Sequence, residues 1–305
     1  MTISELIATV RRVEVRTNRL VNDMMVGAYL SHFKGRGMDF EELREYIPGD
    51  EVRDIDWNVT YRMGRPFVKR YREERELAMV LAIDVSASSA FGSIRRTKRE
   101  FAAEVAGTLA VSAARNSDKV GLLLFSDQVE LYLPPRKGRR HILRLIREML
   151  FFKPKHTGTN IAGGLTFLNH VLHRRSIVFL LTDFLHSFGA SKSQSGIGRD
   201  ALQEVGLTNA RHDLVCLHLH DPRESNLPPA GLLTVEDAET GELVELDSSR
   251  GAVRYKFAST NAERLAELDR ALRRAGVDTL RFSTADDFAQ VLQRFFETRR
   301  GRRRG

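Results

Sequence analysis

Residues 77–88 read Leu-Ala-Met-Val-Leu-Ala-Ile-Asp-Val-Ser-Ala-Ser, and this stretch decides the fold. Seven apolar residues run without interruption to Ile83, and the polar residues Asp84, Ser86 and Ser88 follow directly. Short apolar runs that end in polar turns are typical of strands buried on both faces of a parallel sheet. The stretch therefore predicts a central strand with a polar turn at its carboxyl end.

Four further apolar runs repeat this pattern, and segments with helical spacing lie between them. The runs are 120–125, 176–182, 214–219 and 277–282, and the helical segments are 96–115, 139–151, 160–173, 199–210, 260–275 and 285–298. Strands that alternate with helices form right-handed βαβ units. We predict an α/β fold with a doubly wound, mostly parallel sheet over residues 77–298, which carries a β-hairpin insertion at about 231–256.

The first 76 residues have a different pattern, and we assign them to an extra N-terminal element. Apolar residues at helical spacing predict an amphipathic helix over residues 3–25. Turn signals rich in Gly and Pro then separate short mixed segments, which indicates a small β-rich element with one helical turn around residues 40–46. Residues 299–305, with five arginines, are interpreted as a basic tail.

Composition limits the classes of function that are open to the chain. The net charge of +8 resides mainly in two arginine clusters, at residues 136–147 and 299–305, and leaves nucleic-acid binding as an alternative function. The single cysteine, Cys216, excludes a disulfide framework and a zinc site built on cysteines. The first residues do not resemble a signal peptide, and no apolar run approaches the about 20 residues of a membrane span, so we expect a cytoplasmic protein.

Three polar clusters lie where strands end or helices begin, and they are the candidate site. They are Asp84-x-Ser86-x-Ser88, Thr159 with its neighbours Thr157, Gly158 and Asn160, and Thr182-Asp183. Each cluster alone is also typical of ordinary turns. Ligands of open α/β sheets bind outside the carboxyl ends of strands, so the clusters converge if the strands before Asp84 and Asp183 are neighbours.

Such a site would offer oxygen atoms only, which suits Mg²⁺, Mn²⁺ or Ca²⁺. We predict a metal site formed by Asp84, Ser86, Ser88, Thr159 and Asp183. Because only two of these five ligands are charged, a bound divalent ion keeps positive character. The site would therefore attract an Asp or Glu carboxylate of a partner protein, which makes it a device for recognition.

The same residues resemble the metal-ion-dependent adhesion site of von Willebrand factor A domains. In addition, residues 35–50 (Gly-Arg-Gly-Met-Asp-Phe-Glu-Glu-Leu-Arg-Glu-Tyr-Ile-Pro-Gly-Asp) and 52–57 (Val-Arg-Asp-Ile-Asp-Trp) resemble the bacterial family called domain of unknown function 58. The resemblance implies a von Willebrand factor A-like domain in which the hydroxyls of Ser86, Ser88 and Thr159 ligate a metal, while Asp84 and Asp183 bind it directly or through water. It also implies a partner, a MoxR-type AAA+ ATPase, in complex assembly or maturation.

Other readings of the chemistry find less support in the sequence. Cys216, His218 and His220 would share one face of a strand, a pattern more typical of neutral buried histidines than of a metal cluster. Asp54 and Asp56 are interpreted as ion-paired with nearby arginines. The sequence contains no Gly-x-Ser-x-Gly elbow, no His-Glu-x-x-His and no phosphate-binding loop, so we expect an interaction module and not an enzyme.

Overall fold

The computed structural model describes residues 37–74, 78–94, 96–185, 199–238 and 241–302. These residues divide into two compact units, with the boundary at residues 77 and 78. The helix predicted over residues 3–25 lies outside the described residues. Within them, no helix has both the length and the apolar composition that crossing a membrane requires.

The smaller unit is a two-stranded antiparallel ribbon with one short helix. Its elements are β1 (Gly37–Glu45), α1 (Trp57–Met63) and β2 (Phe67–Glu74). The helical turn predicted around residues 40–46 is wrong, because β1 pairs with β2 along its whole length and this pairing overrides the local helix propensity. The helix of this unit is α1 instead.

Asp56 has a structural role at the start of the short helix α1. Its Oδ1 accepts the backbone N–H of Asn58 at 3.0 Å and that of Val59 at 3.3 Å, so Asp56 caps α1. A cap satisfies N–H groups that have no partner inside the helix. The ion pair of Arg53 is with Glu51, at 3.4 Å.

The larger unit is built on a six-stranded sheet, which confirms the predicted α/β class. The strands are β3 (Ala78–Asp84), β4 (Lys119–Phe125), β5 (Val129–Arg136), β6 (Ile177–Thr182), β7 (Asp213–His220) and β10 (Asp278–Ser283). Their order is β10-β7-β6-β3-β4-β5, and all neighbours are parallel except β4 and β5. The hairpin insertion is β8 (Leu232–Glu236) with β9 (Leu243–Asp247).

Strand β5 is absent from the sequence prediction for an identifiable reason. It is an antiparallel edge strand that contains Pro134 and Pro135, and it buries few of its side chains. Proline is tolerated at sheet edges because it lacks the N–H that a central strand needs. The strand therefore shows neither a long apolar run nor a regular alternation.

Helices cover both faces of this sheet. They are α2 (Lys98–Arg115), α3 (Arg139–Phe151), α4 (Ile161–Val171), α5 (Arg199–Arg211), α6 (Pro222–Ser225), α7 (Gly251–Arg274) and α8 (Phe288–Arg302). Helix α7 begins nine residues before the predicted start at residue 260, because Val253 and Phe257 share a half-buried face. The insertion accordingly ends before residue 251.

Helix α8 extends into residues 299–305, the segment that the sequence predicts to be a basic tail. The guanidinium group of Arg299 binds the carboxylates of Asp213 at 2.8 Å and Asp278 at 2.7 Å. These two ion pairs hold the last turns of α8 against the first residues of β7 and β10. Residues 303–305 lie outside the described residues.

The position of β3 in the sheet determines where a ligand can bind. The chain leaves β3 to form β4 on one side, and it later returns to form β6 on the other side. Loops that leave neighbouring strands in opposite directions open a crevice at their carboxyl ends. Asp84 ends β3 and Asp183 follows β6, so both carboxylates lie at this crevice.

We predict that Gly92→Ala destabilises the larger unit by several degrees in melting temperature. A Cβ atom at residue 92 would lie 2.6 Å from the Cα of Thr97, so the turn before α2 would have to shift. The matched control is Gly206→Ala in α5, where an added Cβ would have no atom within 4 Å apart from the neighbouring backbone of its own helix. The control should melt higher by about 2–4 °C, since alanine has the better helix propensity. A Gly92→Ala chain that melts at or above wild type contradicts this account.

Candidate metal-binding site

Asp84 is a buried carboxylate at the crevice, and it is 4% exposed. Its Oδ1 accepts the backbone N–H of Ser86 at 2.9 Å, and its Oδ2 accepts the hydroxyl of Thr182 at 2.7 Å. The second bond crosses from β6 to β3. It therefore fixes the carboxylate at the junction of the two strands on which the crevice depends.

The two predicted serine ligands lie in the turn that follows β3. Ser86 and Ser88 are both buried, and their Oγ atoms are 3.1 Å apart. Each serine side chain also acts to lower the pKa of a carboxyl, Ser86 that of Asp84 and Ser88 that of Asp183. Four of the five predicted ligands therefore belong to one cluster.

Thr159, the fifth predicted ligand, lies in the loop between α3 and α4. This loop lies against the serine turn, because the N–H of Ala87 donates to the carbonyl of Thr157 at 2.9 Å. Thr159 is half-buried. The helix cap that follows it is Asn160, whose Oδ1 accepts the N–H of Gly163 at 2.8 Å. The backbone therefore brings the loop of Thr159 to the cluster.

Asp183 forms the most buried ion pair at this edge. Its Oδ2 accepts the ammonium of Lys98 at 2.5 Å, and its Oδ1 accepts the N–H of Leu185 at 3.0 Å. The Lys98 side chain is 2% exposed, and its Nζ also donates to Glu224. A lysine is buried this completely only when it is paired with acids. The site therefore contains a third carboxylate and a fixed cation.

Lys98 and Glu224 are not among the site residues that the sequence predicts. Lys98 lies within the run Arg95-Arg96-Thr97-Lys98-Arg99, which resembles an exposed basic helix start. The capping box formed by Thr97 and Glu100 is the one signal that could have placed Lys98 at the first position of a helix near the strand ends. Glu224 had a comparable signal, since it forms a capping box with Asp221 directly after β7.

Asp221 connects the start of α2 with the ends of β7 and β10. It accepts the N–H of Ser93 at 2.9 Å and the hydroxyl of Thr284 at 2.8 Å, and the Ser93 hydroxyl also donates to it. The N–H of Asp221 in turn donates to Glu224 at 2.9 Å. These bonds hold both Glu224 and the turn that leads to Lys98.

Burial and charge shift the pKa values of the two central carboxyls in opposite directions. Burial, together with the negative charge of Asp183, raises the pKa of Asp84 to about 7. Burial also acts to raise the pKa of Asp183, but the adjacent ammonium of Lys98 outweighs it and the pKa is lowered. Asp183 is therefore the permanent anion of the pair, and Asp84 is the carboxylate with the unfavourable charge.

Cys216 and His218, which share a strand face with His220, belong to the core. Cys216 and His218 are buried, and burial and the neighbouring His220 lower the pKa of His218 to about 3. His218 packs edge-on against the ring of Phe184. In the described part of the chain, no three His, Cys, Asp or Glu side chains are arranged to hold a metal. A metal at the crevice beside β3 would therefore need hydroxyl ligands in addition to carboxylates.

Comparison with known proteins identifies the relatives of the chain. The family model described as "Protein of unknown function DUF58" matches residues 42–267. An uncharacterized protein of Mycobacterium tuberculosis is 28% identical over 298 residues, which cover 97% of this chain and 90% of that protein. An uncharacterized protein of Mycobacterium avium is 28% identical over 170 residues, which cover 55% of this chain and 94% of that protein.

Two solved structures are similar at low sequence identity. The conserved hypothetical protein BatB from Bacteroides thetaiotaomicron has a TM-score of 0.45 and 14% identity, and the match covers 73% of this chain and 98% of BatB. An aerotolerance-related membrane protein from Bacteroides fragilis has a TM-score of 0.48 and 12% identity, with 74% and 99% covered.

We predict that Asp84→Asn raises the melting temperature of the metal-free protein at pH 8 by a few degrees, and by less at pH 4.5. The pKa of Asp84 is 3.8 in its ordinary state and about 7 when folded, so the folded chain binds the proton more tightly. The stability that Asp84 contributes is therefore full below pH 3.8 and is lost as the pH rises to about 7. The asparagine variant does not undergo this loss.

Thermal melts in EDTA at the two pH values measure the effect. Asp200→Asn, an exposed change in α5, is the matched control and should show no such pH-dependent gain. An Asp84→Asn chain that melts below wild type at pH 8 would show that the ionised carboxylate stabilises the site, contrary to this account.

Proposed function

We propose that this chain, which belongs to the DUF58 family, is a protein-interaction module. In this proposal a divalent cation of the Mg²⁺ type mediates the contact with the partner protein. The ligands that we propose for this cation are Ser86, Ser88 and Thr159, with Asp84 and Asp183 bound directly or through water. The observation that carries the proposal is the convergence of oxygen donors at the crevice beside β3.

The spacing of the two serine hydroxyls fits an octahedral cation. Neighbouring ligands at about 2.1 Å from Mg²⁺ lie about 3.0 Å apart at right angles. The Oγ atoms of Ser86 and Ser88 are 3.1 Å apart. A hydroxyl oxygen has two lone pairs, and the hydrogen bond between the two serines engages a lone pair of only one of them, so lone pairs remain on both oxygens for a metal. The donor set accordingly supports a hard cation such as Mg²⁺ or Mn²⁺.

The coordination needs of the cation support a carboxylate as the group that is recognised. Asp84, Asp183 and Glu224 carry at most three negative charges, and the ammonium of Lys98 compensates one of them. A divalent ion balances the remaining two, so a further carboxylate ligand is not repelled by a net negative charge at the crevice. An Asp or Glu side chain of a partner protein would complete the coordination of the ion.

The partner that we propose is a MoxR-type AAA+ ATPase, in the assembly or maturation of a protein complex. This part of the proposal follows from the resemblance to the family, and the carboxylate chemistry of the site is compatible with any acidic partner surface. The role of the chain is to bind, and no step of chemical catalysis is assigned to it.

We predict that Mn²⁺ or Mg²⁺ raises the melting temperature of the EDTA-treated wild-type protein but not that of the double variant Ser86→Ala/Ser88→Ala. A metal at about 100 times its Kd adds about 2.7 kcal/mol to the free energy of unfolding. That corresponds to a shift of about 5–10 °C for a unit of this size.

The matched control is Ser112→Ala. Ser112 is buried in α2, and its hydroxyl has no hydrogen-bond partner within the described residues. This variant loses a buried serine away from the site, and it should respond to metal like wild type. An equal shift in the double variant would rule out the serines as ligands.

We further predict that the full-length chain binds a MoxR-type ATPase of the same genome in Mg²⁺ and releases it in EDTA. Ser88→Ala should reduce the binding because it removes a ligand of the cation, whereas Ser112→Ala should not. Biolayer interferometry measures the binding and distinguishes the two ways in which this prediction can fail. Equal binding in EDTA contradicts the metal dependence, and absence of binding under both conditions contradicts the choice of partner.

A further inference from the structure

The ammonium group of Lys98 already occupies a cation position beside the candidate site. Its Nζ lies 2.5 Å from Asp183 Oδ2 and also binds Glu224, and its side chain is 2% exposed. The burial exceeds that of every other lysine whose side chain the structure describes, since no other is in the buried class. A buried charge of this kind is retained only with compensating partners.

The local structure holds this ammonium in place. Lys98 is the first residue of α2, and the capping box of Thr97 and Glu100 fixes the start of that helix. The bonds from Ser93 to Asp221 attach the preceding turn to the end of β7. Lys98 therefore reaches Asp183 from a rigid helix start and not from a flexible surface position.

Lys98 and two of the proposed ligands, Asp84 and Asp183, also line one common space. A cavity of about 10 Å³ lies between Asp84, Ser89, Lys98 and Asp183. Its volume is about that required by a single water molecule. A divalent ion that reaches Asp183 from the serine turn is therefore repelled by an ammonium that already binds the same carboxylate.

We infer that Lys98 is a resident counter-cation that competes with the divalent ion for Asp183, and that Glu224 retains the ammonium when the ion binds. This inference rests on the proposed function. Without metal, Lys98 balances the buried carboxylates, so the chain stays folded with an empty site. With metal, its charge weakens the affinity for the ion and increases the positive charge that is offered to the partner's carboxylate.

The experiment measures Mn²⁺ affinity by electron paramagnetic resonance, which counts free Mn²⁺, on the full-length protein and three variants. Lys98→Met should bind Mn²⁺ at least about tenfold more tightly, because a positive charge a few ångströms from the ion is removed. Glu224→Gln should bind more weakly, since Asp183 becomes the only carboxylate partner of Lys98. Lys153→Met, at an exposed lysine, should equal wild type.

Thermal melts supply a second readout. In EDTA, Lys98→Met should melt below wild type because its buried carboxylates lose their counter-ion, and added Mn²⁺ should raise its melting temperature by more than that of wild type. If this variant does not fold, Glu224→Gln decides alone: weaker binding than wild type supports the inference, and equal or tighter binding overturns it.

The remaining outcomes distinguish a failure of this inference from a failure of the proposed function on which it rests. If wild type binds Mn²⁺ and Lys98→Met binds it equally or more weakly, the inference is overturned and the metal site stands. If neither protein binds Mn²⁺, the metal site itself is overturned, and the inference with it.

Discussion

The ion pair between Lys98 and Asp183 is the constraint on which the carboxyl edge of the sheet depends. Three acids, Asp84, Asp183 and Glu224, lie close together there with little contact with solvent. Buried charges destabilise a protein unless an opposite charge compensates them. Removal of one partner therefore leaves the other as an uncompensated buried charge. The position of α2, which supplies the ammonium, is therefore coupled to the position of β6, which supplies the carboxylate.

The sheet makes this coupling possible. Because β3 lies between β4 and β6, the residues that follow β3 and β6 meet at one crevice. The bond from Thr182 to Asp84 closes the junction of the two strands, and the bond from Ala87 to Thr157 adds the third loop. The bonds of Asp221 to Ser93 and Thr284 extend the same network to β7 and β10. The result is a set of oxygen atoms whose positions are determined before any ligand arrives.

Much of this arrangement could be predicted from the sequence, and the reason is local. The apolar runs that end at Asp84 and Asp183 place both residues at strand ends, and a parallel sheet brings such ends to one edge. The alternation of strands and helices likewise predicted the α/β class, which the sheet confirms. The strand order that makes β3 and β6 neighbours involves pairing between segments almost a hundred residues apart, and no local pattern reports it.

The features that the sequence did not predict depend on contacts that are distant along the chain. Lys98 is surrounded by arginines, and only its pairing with Asp183 and Glu224 makes it differ from an exposed basic residue. Strand β1 has a sequence that favours a helix, and its pairing with β2 decides otherwise. In the sequence, Arg299 does not differ from the other arginines of its segment. Only the positions of Asp213 and Asp278 in the fold show that it forms two ion pairs.

The central claim is that Ser86 and Ser88 hold a divalent cation beside Asp84 and Asp183. A crystal structure of the full-length protein grown with Mn²⁺, with data collected at the manganese absorption edge, tests it most directly. The account predicts an anomalous peak within coordination distance, about 2.1–2.3 Å, of the Oγ atoms of both serines, with the ammonium of Lys98 still bound to Glu224. Anomalous peaks elsewhere on the protein, with none at the two serines, would contradict it.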